Sequence, residues 1–311
     1  MNNDSRFRFA SAPVSWGVQD FRDAAWNQPY ERILDEMLSA GYTGTELGPY
    51  GYFPTDPVVL QAALSKRGMA MLSSFVPVPL SDRAAGGQVI EHIHKVGSLL
   101  HALKAPLLVL ADSQSEKRQH LAGRVPVDGS ESLSPGQWRY VGEIVAEIEK
   151  VAAGYGLGLV FHPHVATYIE TPLEVERFFD AVSQTNTGLC LDTGHCVYGG
   201  GDPVEEAEKY RSRLRYVHIK DIDASVLGEV RRKGLDFDHA VRAGVFSQVG
   251  RGCVDFPAFF DRLVELGYSG WLVVEQDVKF GETAVPPTES MTASLRYLRG
   301  LAGKRAASET R

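Results

Sequence analysis

Phe9-Ala10-Ser11-Ala12-Pro13-Val14-Ser15-Trp16-Gly17-Val18-Gln19-Asp20 is the stretch on which the fold turns. Phe9 to Ser15 is short, apolar and bounded by Pro13 and Gly17, as a first strand is. A doubly wound dinucleotide fold places a Gly-rich phosphate turn after that strand. The turn from Ser15 to Asp20 holds a single glycine and lacks that fingerprint. Outward from it, strand-like runs and amphipathic helices alternate to the end of the chain. Tyr30, Ile33, Leu34, Met37 and Leu38 repeat at helical spacing, with Gly41 as the stop. Thr43 to Gly48 reads as a second strand, Pro57 to Lys66 as a helix, and Met69 to Val76 as a third strand. A helical stripe from Val89 to Leu103 leads to the strand Pro106 to Ala111.

The same alternation continues. Ser134-Pro135 opens a helix striped by Val141, Ile144, Val145, Ile148 and Val151. Leu157 to His164 is a fifth strand, and Thr171-Pro172-Leu173-Glu174 is a capping box for the next helix. Thr187 to Asp192, Leu214 to Lys220 and Gly270 to Glu275 are strands six to eight. Helices are expected over Asp202 to Arg211, Phe256 to Leu266 and Glu289 to Leu301. Residues 222–256 read as an insertion with one or two short helices, and the tail from about 303 as loose. About eight strands alternating with as many helices, without the dinucleotide turn, predict a closed α/β (β/α)8 barrel of one domain spanning residues 1–311.

Composition narrows the function. The 311 residues are 44% hydrophobic and 23% charged, as in an ordinary globular enzyme. Lys+Arg 32 against Asp+Glu 39 gives a formal charge of −7, which repels phosphate backbones and argues against nucleic acid as a partner. Three cysteines make no disulfide framework and suit a reducing compartment. No apolar run approaches the ~20 residues that span a bilayer. Met1 to Arg8 is polar and shows no secretory signal, so a cytoplasmic location without membrane contact is expected.

The ionisable residues collect at one place in this pattern. Glu46 ends the second strand, His162 and His164 the fifth, Asp192 the sixth, His218 and Lys220 the seventh, and Glu275 the eighth. The C-terminal strand ends are the rim where barrel enzymes build their sites. Residues two apart on a strand point the same way, so His162/His164 and His218/Lys220 aim as pairs. Two imidazoles and two carboxylates from neighbouring strands suit a divalent cation that accepts mixed nitrogen and oxygen ligands. Mn²⁺, Co²⁺ and Zn²⁺ come first, then Fe²⁺ or Mg²⁺. Any one of these residues alone reads as a buried, hydrogen-bonded polar group; the set reads as a site.

Several segments carry a family resemblance: Ala12-Pro13-Val14-Ser15-Trp16-Gly17, Thr45-Glu46-Leu47-Gly48, Phe161-His162-Pro163-His164, Leu191-Asp192-Thr193-Gly194-His195, Val217-His218-Ile219-Lys220-Asp221 and Val274-Glu275-Gln276-Asp277. Together they resemble the xylose-isomerase-like TIM-barrel superfamily of sugar isomerases, epimerases and dehydratases. Within it they look like the inosose (2-keto-myo-inositol) dehydratases of inositol catabolism, from about Phe9 to Leu301. The resemblance implies a divalent metal held by His162, Asp192, His218 and Glu275. His162 stands where the family has Glu, and His164 is the alternative ligand. It implies a lyase or an isomerase/epimerase that removes a proton α to a carbonyl and stabilises an enediolate. His164, Lys220 and Glu46 are the expected catalytic groups.

The substrate would be a small sugar or inositol-derived molecule, with His195, Trp16 and Arg251 as binding groups and Phe75 as a further apolar wall. Tyr50, Tyr52 and Phe53, exposed by this reading, would be a loop over the site or a subunit contact, the latter making a homo-oligomer. Gly199-Gly200-Gly201-Asp202-Pro203 reads as a turn with an N-cap Asp and an N1 Pro. The competing functions are a ketose isomerase or epimerase on the same site, a DNA-repair endonuclease, and a non-catalytic sugar-binding barrel. An endonuclease would need more metal ligands and a basic face, which the −7 charge opposes.

Overall fold

The computed structural model describes residues 6–19 and 24–309, the last six of these by backbone only. Met1 to Ser5 of the polar start, Asp20 of the first turn, and Thr310 and Arg311 of the tail lie outside the described residues. Among the described residues, eleven strands occur in chain order: β1 Phe7–Ser11, β2 Gly44–Thr45, β3 Ala70–Met71, β4 Phe75–Val78, β5 Leu107–Asp112, β6 Gly158–Phe161, β7 Gly188–Asp192, β8 Leu214–Ile219, β9 Asp221–Ile222, β10 Phe246–Ser247 and β11 Gly270–Val274. Nine form a parallel sheet in the order β3-β2-β1-β11-β8-β7-β6-β5-β4, while β9 and β10 pair antiparallel on their own.

The two ends of that order, β3 and β4, are halves of the single strand expected over Met69 to Val76. The residues between them bond to both sides. Leu72 N–H donates to Thr45 O at 3.0 Å and Leu47 N–H to Ser73 O at 2.9 Å, on the β2 side. Leu107 N–H donates to Leu72 O at 3.4 Å and Val109 N–H to Ser74 O at 3.0 Å, on the β5 side. The sheet therefore closes into a cylinder of eight strand positions, an α/β barrel.

Strand alternation divides the side chains between two cores. Ala10, Leu72, Val109, Val160, Cys190, Tyr216 and Val273, from strands around the cylinder, form one buried cluster. The opposite faces pack on the helices. Phe161 on β6 stacks on Phe178 at 3.7 Å between ring centroids, and Ile33, Leu34 and Met37 are buried from the first long helix. Helix starts follow their local chemistry. Ser134 with Gln137 and Thr171 with Glu174 make reciprocal capping boxes, and Asp202 caps the helix Pro203–Lys209.

Some elements differ from the sequence reading. The helices Glu116–Leu121 and Thr193–Tyr198 were not expected, and the closing helix Pro287–Glu309 runs past Leu301. Residues 222–256 hold the helices Ala224–Lys233 and Phe237–Arg242, with β9 and β10 at their base. The aromatic loop is a correction. Tyr52 and Phe53 are buried and Tyr50 half-buried, because Trp26 meets Tyr52 at 5.8 Å and Tyr30 meets Phe53 at 6.0 Å, edge to face. The Tyr52 and Phe53 rings are core packing beside the first helix and are not the exposed loop expected from the sequence; Tyr50 is partly exposed. Among the described residues no helix is long and apolar enough to cross a membrane.

Candidate metal and substrate site

Strand register gathers the charged residues. Asp192 and His218 are register partners across β7 and β8, and His218 is opposite Val273 of β11, two residues before Glu275. His162 follows the last residue of β6 and Glu46 the last residue of β2. All five therefore emerge at one end of the barrel, and all are almost fully buried.

His218 sits at the centre. Its Nε2–H donates to Glu46 Oε1 at 2.9 Å, and its Nδ1 lies 3.1 Å from Glu275 Oε2 and 3.9 Å from Asp192 Oδ2. His162 Nε2 lies 3.3 Å from the same Asp192 oxygen. Lys220 Nζ faces three carboxylates, at 2.8 Å from Asp277 Oδ1, 3.2 Å from Glu275 Oε2 and 3.4 Å from Asp192 Oδ2. His195 Nε2 is 3.1 Å from that ammonium and 3.4 Å from Asp277 Oδ2. The other Asp192 oxygen accepts from His195 N–H at 2.8 Å and caps the helix Thr193–Tyr198.

Burial and neighbouring charge set the protonation states. Burial pushes the His164 imidazole well below its ordinary range, and His195 and His162 beside it push the same way, so it is neutral near pH 7. Its Nδ1 donates to Val165 O at 2.7 Å; a carbonyl only accepts, so the proton is on Nδ1 and Nε2 keeps its lone pair. Lys220 is held well above its usual range: burial opposes this, but Asp192, Asp277 and Glu275 outweigh it. Asp192 is held well below, against its own burial, by Lys220, His195 and His162. Burial alone would lower His218, yet Cys190, Glu275 and Glu46 around the ring raise it.

The donor set passes a test for a divalent ion. His162 Nδ1 is buried with no hydrogen-bond partner, which is costly unless something else engages it, and His218 Nδ1 is turned to Glu275 and Asp192. Three buried carboxylates, from Asp192, Glu275 and Asp277, crowd one lysine, and a fourth, from Glu46, meets His218. Imidazole nitrogen with carboxylate oxygen is the donor mixture of Mn²⁺, Co²⁺, Zn²⁺ or Fe²⁺. Grouped by reach, His162, Asp192 and His195 could share an ion, as could Glu46, His218 and Glu275, or His164, His195 and Asp277.

A cavity of about 360 Å³ opens over this cluster, large enough for one small molecule. Glu46, His162, His164, His218, Lys220 and Glu275 line it, with Phe75 as an apolar wall 5.4 Å from the His162 ring and 5.6 Å from His164. Three expected binding groups stand elsewhere. Trp16 is buried, its Nε1–H donating to Glu36 Oε2 at 2.8 Å, and does not line the cavity. Arg251 is exposed and away from it. His195 lies behind the wall, its ring 3.8 Å from that of His164.

The cavity also holds residues the sequence reading did not assign: Gln19, Asp112, Gln119, Asp238, Asp277 and Lys279. Asp277 and Lys279 lie in the loop that follows β11, where strand alternation no longer sets side-chain direction. Asp238, with Phe237 and Val241, comes from the segment after β9, where no pattern announced a cavity wall.

A parallel barrel with acids, imidazoles and a lysine converging on a cavity at the C-terminal ends of its strands is the architecture of a small-molecule barrel enzyme. Residues 34–301 match the family model described as "Xylose isomerase-like TIM barrel", and the chain belongs to that family. It is 32% identical over 272 residues to an inosose dehydratase of Geobacillus kaustophilus, covering 87% of each chain. It is 33% identical over 279 residues to the rhizopine catabolism protein MocC of Rhizobium meliloti, covering 89% of this chain and 83% of that one. Among solved structures it resembles the IOLI protein with a bound zinc atom, at a TM-score of 0.71 and 16% identity, over 96% of this chain and 98% of that one. The chain is a sugar-modifying barrel enzyme of the dehydratase and epimerase kind.

Proposed function

We propose that the protein dehydrates a keto-inositol or a similar cyclic keto-polyol, with a divalent ion held by His162, Asp192, His218 and Glu275. The convergence of these four side chains beneath a cavity lined by neutral His164 and cationic Lys220 carries the reading. Relatives named inosose dehydratase at about a third identity support the substrate class, and the zinc in the IOLI structure supports a metal on this fold. When bound, such an ion polarises a ketone and an adjacent hydroxyl.

The chain's own residues supply the rest. His164 Nε2, with its lone pair, takes the proton α to the carbonyl. The Lys220 ammonium, kept charged by Asp277 and its neighbours, steadies the oxyanion of the resulting enediolate. As the β-hydroxyl leaves, it needs one proton, and His164 holds one. Water departs, His164 returns to its neutral form, and the enol product relaxes to a dione. Phe75 and Phe237 shield the reacting carbons from solvent. The same opening step followed by return of the proton to carbon would give an isomer or epimer.

The test is incubation of the purified protein with 2-keto-myo-inositol and Mn²⁺ or Co²⁺. Growth of the ultraviolet absorbance of an unsaturated or dione product supports dehydration. A sugar epimer without such a chromophore, formed from a free ketose, would replace it with the epimerase reading.

A further inference from the structure

The role of Glu46 follows from which edge of His218 it occupies. Its Oε1 receives the His218 Nε2–H at 2.9 Å, while Nδ1, on the other side of the ring, faces Glu275 Oε2 at 3.1 Å and Asp192 Oδ2 at 3.9 Å. Ser73 Oγ–H donates to the same Glu46 oxygen at 2.9 Å and lies 3.2 Å from the Tyr216 hydroxyl, so the carboxylate is itself held in place. Glu46 is 1% exposed and Ser73 fully buried. An imidazole that ligates through one nitrogen needs its proton on the other. A carboxylate at that second nitrogen fixes tautomer and ring orientation and raises the basicity of the ligating atom.

We infer that Glu46 is a positioning residue, acting through His218, and neither a ligand nor a proton donor to substrate. Glu46 holds Nε2–H, Ser73 holds Glu46, and Nδ1, the nitrogen on the side of Glu275 and Asp192, is the one that would take an ion. The inference rests on the proposed metal reading and refines it.

The experiment uses chelator-stripped full-length protein and Co²⁺ alone as the probe, reading affinity by calorimetry and ligand field by visible absorption. Glu46→Ala is expected to weaken Co²⁺ binding about 10–100-fold and to shift the absorption bands, the usual cost of losing such a partner. Glu46→Gln, which keeps an acceptor oxygen for Nε2–H, is expected to recover part of both. Asp192→Ala is expected to lose binding outright, and thermal melts of all variants check that the fold persists. Unchanged affinity and spectrum in Glu46→Ala would overturn the inference. So would a loss as complete as that of Asp192→Ala without rescue by Gln, which would make Glu46 a ligand. Failure of the unmutated protein to bind Co²⁺ or Zn²⁺ would instead remove the metal reading itself.

Discussion

Asp221 shows how one carboxylate can organise a loop next to the site. Its Oδ1 accepts from Ile222 N–H at 2.9 Å and Val254 N–H at 3.1 Å, and its Oδ2 from Gly250 N–H at 2.9 Å and Gly252 N–H at 2.8 Å. A Cβ at Gly252 would stand 2.3 Å from Oδ1, so that close approach needs glycine. Asp221→Ala orphans four donors, of which those nearest the surface regain water. The expected loss is about 3 kcal/mol, read as a lower urea midpoint at unchanged slope; a loss below about 1 kcal/mol would show that the loop holds without it. A second prediction belongs to His164. His164→Gln removes the free Nε2 base, so kcat on the keto-inositol should fall about 10²–10⁴-fold with KM little changed. An equal fall carried by KM would assign His164 to binding alone. The strand-end pairs were legible at this scale because alternation is a rule of backbone geometry. It reached His162/His164 and His218/Lys220, but not Asp277 and Lys279, which lie in the loop beyond the end of β11. Trp16 was misread because nothing in the sequence says that its indole N–H is satisfied by Glu36, twenty residues on, rather than by substrate.

At the scale of elements, capped helices were easy to read and polar ones were not. Thr171 and Glu174 announce their helix by spacing alone, whereas Glu116–Leu121 has no apolar stripe because its buried member is an arginine. Arg118 is fully buried and gives both guanidinium ends to Glu174, at 2.7 and 2.9 Å. Glu170, 3.9 Å from the same guanidinium, is left with Gly123 N–H at 2.7 Å and Ala166 N–H at 2.9 Å. Burial therefore pushes its carboxyl up to about 7, those two N–H groups opposing. This carboxyl pins the loop that follows His164, in which Ala166 adopts φ +67°. Because the folded state keeps a proton that the unfolded chain releases near 4.5, this group stabilises the fold below pH 4.5 and loses that contribution as pH rises through about 7. The stability of the unmutated protein relative to Glu170→Gln should therefore fall by about 3 kcal/mol between pH 4.5 and 8 in urea titrations. A difference independent of pH would mean that Glu170 is ionised throughout.

Across the whole molecule, the barrel and the mouth are built on different principles. The cylinder closes by backbone hydrogen bonds through Leu72 to Ser74 and packs apolar side chains on both faces, so removing a divalent ion should leave it folded. Chelation is expected to abolish turnover while far-ultraviolet circular dichroism and the cooperative melt persist; unfolding on chelation would make the ion structural. The mouth depends on charge. Lys279 Nζ lies 2.6 Å from Asp238 Oδ1 and donates to Gln19 Oε1 at 2.9 Å, joining the loop after β11 to the helix Phe237–Arg242 and to the turn after β1. Arg242 holds the other Asp238 oxygen at 2.8 Å and pairs with Glu282. Gln19, Asp238 and Lys279 all line the cavity, so the clasp that seats this helix over the site also presents polar atoms to whatever enters. Barrel enzymes vary specificity in such loops while the strands keep the chemistry. Lys279→Met cuts the clasp without touching His162, Asp192, His218 or Glu275. It should raise KM for the keto-inositol about tenfold and leave Co²⁺ affinity unchanged, because ground-state binding is lost and the ligand set is not. An unaltered KM would mean that the clasp fastens the helix without meeting substrate, and a changed Co²⁺ affinity would mean that mouth and metal set are one mechanical unit.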